Sequence, residues 1–135
     1  MDGVILTPLK QIFNPKGDVF HGMKKSDQGF NGFGEAYFST IHQGDIKGWK
    51  KHTSMTLNLV VPFGEVEFVL YNEDSKEFFN IKLSQKNYQR LTVKPNLWMA
   101  FRGVGENNML LNIASIEHDP SEAINISLEE IAYEW

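Results

Sequence analysis

The sequence contains no cysteine among its 135 residues. That removes disulfide staples, thiolate zinc ligands and thiol catalysis together. It is also short of positive charge, with 13 Lys and Arg against 17 Asp and Glu, a formal net charge of -4 and no cationic cluster. Nucleic acid and anionic membrane surfaces both need a clustered cationic face, so neither is expected as a partner. No stretch approaches the roughly 20 consecutive apolar residues of a bilayer span. The start, Met1-Asp2-Gly3-Val4, has neither the basic nor the apolar region of a secretory leader. The expected compartment is the cytoplasm, where the Asn125-Ile126-Ser127 triplet meets no glycosylation chemistry.

The aromatic content is high: 3 Trp, 4 Tyr and 10 Phe. A chain of this length makes one domain, because single cores run to about 100–200 residues. Short runs of β-forming residues recur between turn residues, at the spacing of a sandwich or barrel. They are Glu35 to Ile41, Thr56 to Pro62, Glu65 to Tyr71, Phe78 to Leu83, Gln89 to Val93, Leu97 to Phe101 and Met109 to Ser115. Phe63-Gly64 between the second and third predicts a hairpin there. Ser127-Leu-Glu-Glu130 has the form of a capping box and predicts a single helical turn. The pattern predicts an all-β fold, a small antiparallel β-barrel or jelly roll. An irregular arm occupies about residues 1–33, the barrel about 34–122 and a tail 123–135. The arm is expected to cover a mouth or to exchange with a second subunit.

Gly44-Asp-Ile-Lys-Gly-Trp-Lys50-Lys-His52-Thr-Ser-Met-Thr-Leu57, closing at Gly64, resembles the first sequence motif of the cupins in its spacing. The ligand chemistry differs, since Lys50 stands where that motif has its first His and Leu57 where it has its Glu. Pro95-Asn-Leu-Trp-Met-Ala-Phe101 resembles the second motif, with Ala100 or Met99 where the last metal-binding His would fall. One imidazole is too few ligands to hold a first-row cation, so no metal and no other cofactor is expected.

Tyr37-Phe-Ser39, Lys47-Gly-Trp49, His52, Met55 to Leu59 and Val69-Leu-Tyr71 are similar to metal-free, RmlC-like cupins that act on nucleotide sugars. These are the dTDP-4-dehydrorhamnose 3,5-epimerases and the dTDP-sugar 3,4-ketoisomerases. The acidic stretch from Asn112 to Glu122, with Asp119-Pro120 inside it, resembles the end of their last barrel strand. The likeness spans about residues 35–122. It implies proton abstraction beside a ketone, cytoplasmic synthesis of cell-surface polysaccharide such as lipopolysaccharide, and a homodimer. Lys50 falls at the epimerase base position and Asn112 at the late Tyr, while His52 falls at the second His of the ketoisomerases.

In a strand, residues two apart share a face, so Lys50 and His52 point the same way. A lysine base would need its pKa lowered from ~10.4 by about three units, whereas an imidazole needs little tuning at neutral pH. His52 is therefore the candidate base and Lys50 the cation beside the developing oxyanion. Tyr37, Tyr71 and Tyr88 are all candidate proton donors, with Tyr37 favoured because it sits on the preceding strand. For the nucleotide and sugar, Lys47, Lys51 and Arg102 are candidate cations. Trp49 and Trp98 are candidate stacking platforms, and Asn58 and Asn112 candidate polar contacts. The alternative function is a non-catalytic cupin that binds a sugar or sugar nucleotide without turning it over.

Overall fold

The computed structural model describes all 135 residues, Met1–Trp135. Twelve strands follow one another: β1 (Val4–Pro8), β2 (Gln11–Ile12), β3 (Val19–Phe20), β4 (Glu35–His42), β5 (Ile46–His52) and β6 (Leu57–Phe63) come first. Then come β7 (Glu65–Asn72), β8 (Glu77–Ser84), β9 (Gln89–Val93), β10 (Trp98–Gly103), β11 (Asn107–Ala114) and β12 (Ala123–Asn125). The only helical pieces are single turns at Pro120–Glu122 and Leu128–Glu130. In the second, the Glu130 carboxylate accepts the Ser127 N–H at 2.7 Å, as the capping sequence predicts.

The long strands form two antiparallel five-stranded sheets, β1-β9-β6-β11-β4 and β12-β5-β10-β7-β8, the two layers of a jelly roll. Leu57, Leu59 and Val61 of β6 and Leu91 and Val93 of β9 meet Val66, Phe68, Leu70 and Leu83 of the second sheet in one core. Their period-two spacing is the reason: every second side chain leaves the strand toward the same interior.

The predicted hairpin across Phe63-Gly64 does not form. β6 pairs with β9 and β11, whereas β7 pairs with β8 and β10, so the chain changes sheets at this turn. Both strands carry an apolar inner face, and placing them in opposite layers buries each against the other. Gly64 makes the corner possible: its φ is +81°, and a Cβ there would lie 2.1 Å from the Asn107 carbonyl oxygen.

β5 was not among the runs legible from β-propensity, because three of its seven residues are Lys. It is held in the ladder by β10 on one side and β12 on the other. Its register with β10 shifts between Met99 and Phe101, where Gly48 lies so close that a Cβ would approach Ala100 Cβ to 2.4 Å.

The N-terminal arm does not cover the cavity. β1 is an edge strand on β9, β2 and β3 form a small hairpin, and the segment after it packs on the outside of the first sheet. There Arg90, fully buried, donates to the carbonyls of Gly22 and Gln28 and pairs with Asp27 at 3.2 Å. The tail covers the outside of the second sheet: Ile126, Leu128, Ile131, Tyr133 and Trp135 pack on Trp49, Val69, Trp98 and Ala100.

Candidate active site

Between the sheets, toward one end, lies a cavity of about 390 Å³. The first sheet supplies Tyr37 and Ser39 from β4, Leu57 and Leu59 from β6, and Leu110 and Asn112 from β11. The second supplies Lys47, Gly48, Lys50 and His52 from β5, Met99 and Phe101 from β10, and Asn125 with Ile126 beside β12. The walls are apolar toward the core and polar toward β5, the arrangement that orients a small polar ligand.

His52 is held from behind. Its Nδ1 meets a carboxylate oxygen of Glu122, a residue only 6% exposed, on the turn that ends at β12. The other carboxylate oxygen accepts three successive backbone N–H groups, from Thr53 at 3.2 Å, Ser54 at 3.1 Å and Met55 at 3.2 Å. Burial pushes the Glu122 carboxyl up, but the His52 ring and the Ser54 and Met55 N–H groups outweigh it and hold the group below its ordinary value. Glu122 is therefore an anion that can only accept, so Nδ1 of His52 carries the hydrogen. In the neutral ring Nε2 then keeps the lone pair, and the ring lines the cavity.

The other two β5 side chains on the cavity wall, Lys47 and Lys50, are cationic. Lys47 Nζ donates to the Thr40 carbonyl at 2.7 Å and lies 5.9 Å from the Phe101 ring centroid. Neither Lys47 nor Lys50 forms an ion pair; the four in the molecule are Lys51 with Glu73, His52 with Glu122, Arg90 with Asp27 and Arg102 with Glu67. Across the cavity Tyr37 Oη accepts from Asn112 Nδ2 at 3.0 Å. No three His, Asp or Glu side chains gather where they could share a metal ion.

Of the ten residues singled out from the sequence, Tyr37, Lys47, Lys50, His52 and Asn112 come together here. The other five do not line the cavity, and strand alternation explains four of them. Trp49 and Lys51 alternate with Lys50 and His52, so they leave β5 on the outer face; Trp98 and Arg102 likewise alternate with Met99 and Phe101 on β10. Trp49 is buried under the tail, its indole N–H on the Leu128 carbonyl at 3.2 Å. Lys51 and the Trp98 indole N–H both donate to Glu73, holding its carboxyl below the ordinary range. Arg102 pairs with Glu67 at 2.6 Å and lies 5.7 Å from the Trp135 ring. Asn58 faces the arm, donating to the Gly29 carbonyl at 3.0 Å and accepting from Thr92 Oγ1 at 2.6 Å. The residue that sequence reasoning assigned no role is Glu122. Its only signal was an acidic residue in the Asp119-Pro120-Ser121-Glu122 turn after the last long strand.

No protein-family model and no curated protein matches the chain. Solved structures do. A dTDP sugar isomerase from Desulfovibrio desulfuricans G20 superposes with a TM-score of 0.93 at 29% identity, over 99% of this chain and 91% of that one. A variant of the 3,4-ketoisomerase QdtA from Thermoanaerobacterium thermosaccharolyticum, in complex with TDP-4-keto-6-deoxyglucose, superposes at 0.80 with 24% identity, over 92% and 88%. NovW, a 4-keto-6-deoxy sugar epimerase from Streptomyces spheroides, gives 0.87 at 14% identity, over 99% and 75%. The chain has the fold of the RmlC-like cupins.

Proposed function

We propose that the protein is an isomerase of a nucleotide-linked 4-keto-6-deoxy sugar, acting by proton abstraction from a carbon beside the ketone. The observation that carries this reading is His52: an imidazole whose Nδ1 is committed to Glu122, on the wall of a cavity that also holds two ammonium groups without carboxylate partners. A chain of net charge -4 that keeps cations without carboxylate partners on the wall of this cavity suits an anionic ligand such as a nucleoside diphosphate. The isomerase that it resembles is named for a dTDP sugar, and the ketoisomerase is in complex with TDP-4-keto-6-deoxyglucose.

In the proposed reaction His52 Nε2 takes the proton and the C–H electron pair moves into an enolate. The Lys50 ammonium faces the charge that gathers on the former ketone oxygen. Tyr37, on the opposite sheet, returns a proton; the imidazolium then loses its proton to solvent and the phenolate regains one. Lys47, near the Phe101 ring, is assigned to the diphosphate. The setting that the resemblance implies is cytoplasmic synthesis of cell-surface polysaccharide. Phe38, Phe63 and Met109 lie exposed on the outside of the first sheet, which supports a homodimer packed through that face.

The test is to incubate the protein with dTDP-4-keto-6-deoxyglucose in deuterated water and follow the ring protons by NMR. Loss of a proton signal flanking the ketone, with a new sugar accumulating, is the expected result. Binding without exchange identifies the non-catalytic alternative and overturns the enzymatic reading.

A further inference from the structure

Asn112 is only 1% exposed, and its carboxamide touches two groups of different kinds. Its Oδ1 accepts the backbone N–H of Asn58 at 3.2 Å, and its Nδ2 donates to Tyr37 Oη at 3.0 Å. A backbone N–H can only donate, so the amide atom that faces it has to be the oxygen. The amide cannot be turned over without setting two donors against each other and leaving a buried N–H unpaired. The NH₂ is thereby fixed toward Tyr37, whose oxygen receives a hydrogen from it. The phenol's own hydrogen is then excluded from the Asn112 side, and the remaining direction is the cavity that Tyr37 lines.

We propose that Asn112 is a positioning residue: through the Asn58 N–H and its own amide it commits the Tyr37 hydroxyl to donate into the cavity. This departs from the sequence reading, in which Asn112 is a substrate contact. It also explains how a tyrosine 42% exposed is kept in one hydrogen-bonding sense before any ligand arrives. The kinetic part rests on the isomerase reading above, with Tyr37 as donor; the hydrogen-bond polarity does not.

Two measurements test it. The first needs no substrate: in the ¹⁵N–¹H spectrum the side-chain NH₂ signals of Asn112 are compared between the native protein and Tyr37→Phe. The proposal expects those signals to move, because Phe removes their acceptor. Unchanged Asn112 signals, with other amides intact, overturn it whatever the substrate is.

The second is a double-mutant cycle with Asn112→Asp, which keeps the shape and still accepts the Asn58 N–H but draws the Tyr37 hydrogen onto itself. In the native background kcat with dTDP-4-keto-6-deoxyglucose is expected to fall about 10- to 100-fold. In the Tyr37→Phe background the same change costs less than about 3-fold, because the group through which Asn112 acts is already gone. Equal losses in both backgrounds overturn the positioning role, since a purely structural or charge effect does not depend on the phenol. If the native protein fails to turn the sugar over, the isomerase reading falls, and the NMR comparison alone decides the polarity of Asn112.

Discussion

Glu122 and His52 stand 70 residues apart in the chain and meet on one side of the cavity, carboxylate against imidazole Nδ1. The contact ties the two ends of the site together. The same Glu122 carboxylate accepts the N–H groups of Thr53, Ser54 and Met55, which follow His52 directly. The His52 ring and the loop that follows it are thus set by one buried anion.

Glu122→Gln tests that anion. Gln has one oxygen and one NH₂, and three backbone donors already claim the oxygen. The NH₂ then faces His52 Nδ1, forcing the ring hydrogen to Nε2 and blocking the base. The expected loss is about 10²- to 10⁴-fold in kcat with KM little changed, together with about 1–3 kcal/mol of stability.

The same residue predicts an acid limit. Glu122 titrates below its ordinary value of 4.5 in the folded protein, so its contribution to stability is fully present above pH 4.5 and is lost as pH falls through the folded value. Urea midpoints measured from pH 7 down to pH 3 are expected to fall less steeply below pH 4.5 for Glu122→Gln than for the native chain.

His52→Asn separates chemistry from binding. Turnover of the 4-keto sugar is expected to fall at least about 10³-fold, while calorimetric affinity for dTDP stays within about 3-fold. A loss of affinity as large as the loss of rate would make His52 a ligand contact instead of the base.

The two cavity cations carry different expectations. Lys50→Met removes the charge beside the developing oxyanion and should lower kcat by about 10²-fold with dTDP affinity nearly unchanged. Lys47→Met should instead weaken dTDP binding by about 10-fold and flatten its dependence on salt, which titration calorimetry at two ionic strengths would read.

Phe38 is 65% exposed on β4, an edge strand that lines the cavity with its other face. Phe38→Asp is expected to convert a homodimer to monomer in light scattering at micromolar protein, with the far-UV spectrum of the native chain retained. A native chain that is monomeric at that concentration removes the dimer reading.

The legible part of this protein was the part that local chemistry sets. Alternation puts Val66, Phe68 and Leu70 on one face, which the fold makes the inner one, and the same period-two rule puts Lys50 and His52 together, on what proves to be the cavity wall. Period two fixes which residues share a face; it does not say which face is the interior or which strand lies beside which. Trp49, Lys51, Trp98 and Arg102 were chosen for their side-chain chemistry, and the fold turned all four to the outside, where the tail and Glu67 and Glu73 occupy them.

Composition and spacing alone determined an all-β chain with cupin-like spacing and an imidazole flanked by lysines. Tertiary structure alone decided that β6 and β7 part into opposite sheets, that Glu122 stands behind His52, and that Asn112 is turned toward Tyr37. The reason is physical: hydrogen-bond partners of a buried group are chosen by whatever donors and acceptors the folded chain brings within about 3 Å. In this molecule those partners come from segments far apart in sequence.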